Sequence, residues 1–483
     1  MTATRDARGG LGAGVGERLA ALLGPASGAP RPGVLAAATT LAPSLDPIAV
    51  YAAATEVGAE AVLWLRPSEG TAFVGVGRAW AVEAEGDRRF REAEGAWCEL
   101  MARARLDRPD GAAPGAGPVL LGGLGFTGRA PAEDDPWAPF GASSLVLPSL
   151  LFTVTPSGAF VTAAVVDGSD EDGRRLEGEW SRLVERAREL RPNPNGMVAM
   201  PVYAPLRVEA EQPAHDEWRR LVGMYAGAVG RGRIDKVVLA RRVGLRSPVE
   251  LDVANALRRL AASAPESTIY AFRRDGRTFV GATPERLVRT DGRSFRTVAV
   301  AGTAARGADA EEDAVLARRL LASEKDREEH AIVVAAIRDL LSPVADSLTV
   351  ATEPGVMTLR FVQHLVTEIR GTLPEGRGLL ALGERLHPTP AVGGDPRDVA
   401  LALIDEHEGF DRGWYSGPIG WLGADGDGEL CVALRCGIVD HTRATLFAGC
   451  GIVADSDPDA EWEESRIKLR AVVSALGIPE DGE

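Results

Sequence analysis

The sequence is poor in the features that mark several protein classes. It has four cysteines in 483 residues, Cys98, Cys431, Cys436 and Cys450, and no CxxC pair among them. That spacing argues against a structural zinc site and against a disulfide framework, and it fits a reducing cytoplasm. No run of about 18 apolar residues is present, so no transmembrane helix is expected. The first residues, "MTATRDARGGLGAGVGERLAALLGPASGAP", lack the basic end, long apolar stretch and cleavage site of a signal peptide. Positive charge is also in deficit: 54 basic residues face 69 acidic ones, a formal net charge of −15. A general nucleic-acid or anionic-membrane surface needs a basic field, and neither partner is expected. No internal repeat is visible. What is present is a hydrophobic fraction of 45%, enough for a sizeable core, and a charged fraction of 25%, ordinary for a soluble protein.

The length admits several domains or one large one. Residues 1–34, rich in Gly, Ala and Pro, read as a mobile leader with one short helix. "RELRPNPNGM" reads as a connection between an N-terminal part, 35–195, and a longer part, 200–478. In the first part, "EAVLWLR", "TAFVGVG", "AWAVEAEG" and "GPVLLGGLGF" read as strands, and "SSLVLPSLLFTVTPSGAFVTAAVV" as strands with a hairpin turn at "PSG". In the second, "STIYAFRRDGRTFVGATPERLVRTDGRSFRTVAV" alternates strands with Asp-Gly turns. "DAVLARRLLASEKDREEHAIVVAAIRDLL" reads as one long helical region. Strand-turn-strand neighbours outnumber strand-helix-strand units, which predicts an α+β fold with antiparallel sheets.

"GLGFTG", at Gly123, Gly125 and Gly128, matches a dinucleotide-binding GxGxxG. That motif works only where a helix follows, and "RAPAEDDPWAPFG" cannot open one. A strand ending in a glycine turn is the better reading.

The stretch "DAEWEESRIK", 459–468, concentrates four carboxylates in an already anionic chain. If Pro458 opens a helix, Glu461 and Glu464 share a face, with Lys468 one turn beyond Glu464. An exposed helix with an ordinary Glu464–Lys468 pair would explain this stretch alone. "SEKDREEHAIVV" repeats the spacing, however, with Asp326 and Glu329 three apart. Two helices each offering a carboxylate pair suit a hard cation such as Mg²⁺, which usually keeps several waters and takes one or two carboxylates plus an anionic substrate. No His or Cys joins the set at ligand spacing, so a soft metal is not expected. Arg435 and Lys468 are candidate cations for the anion. Lys236 opens the apolar strand "KVVLARR", where a lowered pKa would make it a base, unless it only guards a sheet edge. Glu285 stands in a turn, "GATPERLV", where burial would make it a general acid and exposure would leave it idle.

Together these segments resemble the chorismate-utilising enzymes, a family that includes isochorismate synthases, salicylate synthases and the synthase subunits of anthranilate and aminodeoxychorismate formation. The resemblance runs in order through "KVVLARR", "GATPERLV", "VAGTAARG", "EKDREEHAIVV", "VQHLVTEIRG", "LHPTPAVGG", "WYSGPIGWLG", "VALRCGIV" and "AGCGIVADSDPDAEWEESRIKL", about residues 230–472. It implies an anthranilate synthase component I-like fold of two stacked antiparallel β-sheets surrounded by helices, a Mg²⁺ cofactor and chorismate as substrate. By the resemblance, Glu329 and Glu464 bind the metal and Asp326 and Glu461 support it. Lys236 activates water, and Glu285 protonates the departing C4 hydroxyl. Arg435 and Tyr415 hold the side-chain carboxylate. Gly302, Thr303, Gly449 and Lys468 line the carboxylates and metal, and His364 lies beside the ring.

Within the family, members that aminate, and those that eliminate pyruvate to give salicylate, usually carry Thr where this chain has Ala391. "VAVAGT" departs from the "PIxGT" of aminating members, and no "LxES" feedback element or glutaminase domain is visible. The expected activity is therefore reversible conversion of chorismate to isochorismate by a monomer without a glutaminase subunit, serving menaquinone or catechol siderophore synthesis. The alternatives are a salicylate synthase and a non-catalytic chorismate-binding module.

Overall fold

The computed structural model describes residues 14–23, 33–191, 206–307, 309–358 and 362–477; within these, nothing is described of the side chains of Thr303, Lys325, Glu329 and Val362. Residues 192–205, most of the Pro/Asn-rich connection, lie outside the described residues.

Among the described residues the strands form two sheets, of 13 and 10 strands. Pairing is antiparallel throughout except where Leu35–Leu41 lies parallel to Arg105–Asp107. Each sheet takes strands from both parts of the chain. Thr268–Arg274 pairs with Ala61–Arg66 in the larger sheet, and Pro418–Gly423 with Val119–Leu124 in the smaller. The parts before and after the connection are thus interleaved.

The period-two alternation of the strands explains the layering. In "TIYAF" Ile269 and Ala271 face helices, while Tyr270 and Phe272 face the other way into an aromatic layer. That layer also holds Trp64 and Phe73 of the larger sheet and Ile419 and Trp421 of the smaller. The two sheets therefore stack on it, with helices against their outer faces. Both ends of this arrangement agree with an α+β fold of stacked antiparallel sheets.

Several expectations change in detail. The leader's helix, Val15–Leu23, is docked, not loose: Val15 and Leu19 are buried in the cluster that includes Leu176 and Trp180 of Asp170–Glu189. The long helical region divides into Ala310–Ala322 and Glu324–Leu341, because the Ser323 side chain caps the second helix by accepting from Asp326 N at 3.3 Å. "ELCVALRCGIVD", whose apolar run reads as one strand in the sequence, divides into Gly428–Val432 and Cys436–Asp440, one strand in each sheet. The last helix, Pro458–Ala475, starts at Pro458 with Asp457 accepting from Asp459 N and Ala460 N; it buries Ser465, Leu469, Val472 and Ala475 along one stripe.

The glycines of "GLGFTG" serve close packing. A β-carbon at Gly123 would overlap the Trp414 ring, and one at Gly125 would stand 2.7 Å from Ala142 O. No helix follows the strand, so the phosphate-binding geometry is absent there.

Candidate active site

Two chain crossings between the sheets create the centre of the site. Arg277–Thr283 of the larger sheet leads through Glu285 to Arg286–Asp291 of the smaller. Gly428–Val432 of the smaller sheet leads through Arg435 to Cys436–Asp440 of the larger. The crossings are tied together. Val432 N donates to Glu285 O at 3.0 Å, Ala282 N donates to Arg435 O at 3.1 Å, and Thr283 Oγ1 donates to Val432 O at 2.5 Å. Arg435 takes a left-handed backbone, φ 50°, to make its turn. Loss of water around the Glu285 carboxyl pushes its pKa up, and the nearby charges of Arg435 and Lys236 pull it part of the way back. The sequence reading leaves open whether this turn glutamate is buried or idle; burial and the charges of Arg435 and Lys236 both act on its carboxyl.

Lys236 opens Lys236–Arg246, a strand paired on both sides, so it is not an edge guard. It stands opposite Asp395. Its aliphatic chain lies against Gly451: a β-carbon there would overlap Lys236 Cε and come 3.1 Å from Nζ. The segment carrying Ala391 reaches the same strand, through Val238 N donating to Gly393 O at 2.9 Å. Ala391 itself is exposed.

A second group lies on the same Arg443–Ile452 strand, where the last helix crosses it. Lys468 Nζ donates to Gly449 O at 2.8 Å and pairs with Glu464 at 2.5 Å. Glu461 Oε1 accepts from Ser456 Oγ at 2.7 Å. The Tyr415 hydroxyl would stand 2.9 Å from a β-carbon on Gly449; Tyr415 is buried and stacked on Phe447, and burial raises its pKa. The expectation that no Cys joins the acids is corrected here: ligand atoms of Cys450, Glu461 and Glu464 all lie within 4.8 Å of one another. Burial pushes the Cys450 thiol up to about 12, helped by the two carboxylates and opposed by Lys468. A neutral thiol leaves the carboxylates as the charged donors, so the set still fits a hard cation.

The third group stands on the smaller sheet. Gly302, φ 74°, forms an irregularity between Ala301 and Thr303 in Ser294–Ala305. A β-carbon there would meet Asp326 Cβ at 3.2 Å, which lets the start of Glu324–Leu341 approach the sheet. His364 is the cross-strand partner of Thr303. Burial lowers the His364 pKa, against a backbone hydrogen bond at Gly302. The Glu329 backbone belongs to the same helix, one turn beyond Asp326, but its side chain and that of Thr303 are outside the description.

One signal in the sequence would have singled out two of these residues without any motif. The chain has three lysines, Lys236, Lys325 and Lys468, against 51 arginines. This chain uses Arg for nearly all its cations, so the three lysines stand out as positions to inspect for a role that a compact ammonium fills.

A partly buried acid and a guanidinium on two sheet crossings, a lysine at the start of a central strand, and a carboxylate cluster where the last helix meets the Arg443–Ile452 strand make up the candidate site of this α+β chain. The family model described as "Chorismate binding enzyme" matches residues 25–477. The "Salicylate biosynthesis isochorismate synthase" of Pseudomonas aeruginosa is 37% identical over 455 residues, 94% of this chain and 92% of its own. The "Isochorismate synthase MenF" of Bacillus subtilis is 33% identical over 443 residues, covering 90% and 92% of the two chains. Among solved structures, MenF, the menaquinone-specific isochorismate synthase from Escherichia coli, superposes with a TM-score of 0.76 at 25% identity, covering 96% of this chain and 99% of that one. The chain belongs to the chorismate-binding enzyme family.

Proposed function

We propose that the chain is a Mg²⁺-dependent isochorismate synthase that converts chorismate reversibly to isochorismate. The single observation that carries the reading is that Glu285 and Arg435 stand on two sheet crossings tied together by Val432 N donating to Glu285 O and Ala282 N donating to Arg435 O, and burial raises the Glu285 pKa there. The names of the relatives from Pseudomonas aeruginosa and Bacillus subtilis support it.

In this reading Lys236 takes a proton from a water that adds at C2. Glu285 gives a proton to the C4 hydroxyl, which leaves as water while the ring double bonds shift. One water enters and one leaves, so the net reaction is an isomerisation. Arg435 and Tyr415 hold the side-chain carboxylate, and Lys468, fixed on Gly449 O, carries positive charge toward the ring carboxylate. Glu329 and Glu464, supported by Asp326 and Glu461, would hold Mg²⁺, which when bound supplies a fixed positive charge for that carboxylate. The methyl group of Ala391 cannot relay a proton, which favours stopping at isochorismate.

The test is to incubate purified protein with chorismate and Mg²⁺ at neutral pH and separate the products chromatographically. Isochorismate in equilibrium with chorismate is expected. A dominant salicylate peak with stoichiometric pyruvate would replace the reading by a salicylate synthase. Saturable chorismate binding without turnover would replace it by a binding module.

A further inference from the structure

A cavity of about 710 Å³ lies apart from every residue assigned above. The start of Arg89–Ala102, the turn at Phe126–Arg129, the His387–Pro388 segment and the helix Arg397–His407 enclose it. Its lining divides into two kinds of surface. Phe90, Phe126, Pro388, Leu401, Ile404 and Phe410 provide apolar area. Arg89 and Arg397 provide positive charge.

Among the described residues neither Arg89 nor Arg397 has a carboxylate within ion-pair distance; of the five lining acids, Glu384, Asp405 and Glu408 are paired with Arg91, Arg129 and Arg412, Asp411 accepts from Gly413 N at 2.8 Å, and Asp87 is in no ion pair. Arg89 is 93% buried by area, being 7% exposed. Its Nη1 and Nη2 donate to Gly86 O at 3.0 Å and Gly125 O at 3.1 Å, which leaves one hydrogen on each, and its Nε has no partner. Burial lowers the Arg89 pKa, the carboxylates of Asp87 and Glu384 oppose this and the like charge of Arg397 adds to it; both guanidiniums line the same cavity. A buried, unpaired guanidinium is costly unless an anion meets it.

We propose that this cavity is a second binding site, taking a small aromatic carboxylate whose charge lies between Arg89 and Arg397 and whose ring fills the apolar lining. This inference goes beyond the reaction proposed above and does not depend on it. The cavity wall also touches the strand that carries Lys236: Glu408 accepts from Ala240 N at 2.8 Å, and Arg412 donates to Val238 O and Val392 O, both at 2.8 Å. A ligand here would sit one side-chain layer from that strand.

The experiment is calorimetric titration of the full chain with 4-hydroxybenzoate, with 4-hydroxybenzyl alcohol as the uncharged control. Saturable binding of the acid and not of the alcohol is expected. Arg397→Gln should weaken it at least about tenfold, by loss of a charge-assisted contact. Leu401→Trp, which fills the cavity from its helix, should abolish it. No saturable binding with a Kd tighter than about 1 mM would overturn the proposal. So would affinity unchanged in both variants, which would place the probe in the chorismate site. Neither readout needs turnover, so failure of the isochorismate reading leaves this test intact.

Discussion

Glu285→Gln separates the proton that Glu285 carries from the space it fills. The amide keeps the shape and a hydrogen-bonding end but cannot give a proton. General acid catalysis contributes about 10²–10⁴-fold, so kcat/KM for isochorismate formation should fall by that range. Stability should move the other way. In the folded chain loss of water raises the Glu285 pKa above its ordinary 4.5, and this outweighs the attraction of Arg435 and Lys236. Between the ordinary value and the raised one, the folded state binds more protons than the unfolded state. Stability therefore falls as pH rises through that window, and the loss persists above it. Gln never ionises and escapes the loss. At pH 8 the variant should melt at the wild-type temperature or up to about 2 °C higher, and the difference should vanish at pH 4, where both states hold the proton. The same titration shapes the wild-type pH profile: kcat/KM should decline as pH rises past the raised value, and the variant should lack that limb. The assays are product chromatography against pH and thermal melts at pH 4 and 8. A variant that keeps more than about a tenth of wild-type turnover would refute the assignment, since that is less than the smallest effect of a general acid. A variant that melts several degrees lower at pH 8 would refute the electrostatic account.

Gly451→Ala should displace Lys236, whose Cε occupies the space of the added methyl, and lower kcat about 10- to 100-fold with little change in melting temperature; unchanged kcat would show that Lys236 can act from another position. Glu464→Gln should raise the Mg²⁺ concentration for half-maximal rate at least about tenfold, measured by Mg²⁺ titration of turnover, and an unchanged titration would remove Glu464 from the metal set. Arg412→Met should leave Glu408 charged and only partly satisfied beneath the Lys236 strand, where both partners are 2% exposed. The expected cost is about 3–5 kcal/mol, seen as a drop in melting temperature and in the denaturant midpoint, and a change below about 1 kcal/mol would contradict the burial argument.

Much of the fold was legible because local pattern and tertiary context agree. The alternation in "TIYAF" and the capped start at Pro458 each specify an element with one face to bury, and each is found there. The long helical region misled because Ser323 is compatible with a helix interior yet caps better than it propagates. "ELCVALRCGIVD" misled because an unbroken apolar run hides a change of sheet; only the left-handed turn at Arg435 reveals it, and arginine carries no signal for that conformation. The site was legible as a set of residues and not as a geometry. Glu285 and Arg435 are 150 residues apart in the chain, and what joins them is the hydrogen bonding of two crossings. Cys450 was missed because a strand end and a turn separate it from Glu461, and only the packing of the last helix on that strand closes the gap.

The four acids of "DAEWEESRIK" show how a strongly anionic chain can hold an anionic substrate. Helical spacing sends them to two different faces. Asp459 lies 3.3 Å from Arg219, and Glu463 pairs with Arg466 at 2.8 Å, so that face is an ordinary solvated surface neutralised by arginine. Glu461 and Glu464 turn toward Cys450 and Lys468. Lys468 cannot neutralise both, because it carries one positive charge and among the described residues pairs only with Glu464. The inner face therefore keeps excess negative charge, and Glu464, still half exposed, remains open to a further cation. A divalent ion reverses the sign of that face locally, while the rest of the surface stays negative. With a divalent ion bound there, a dianionic substrate would meet positive charge on that strand and helix, and its affinity would depend on the metal through Glu464 more than through any arginine of the outer face.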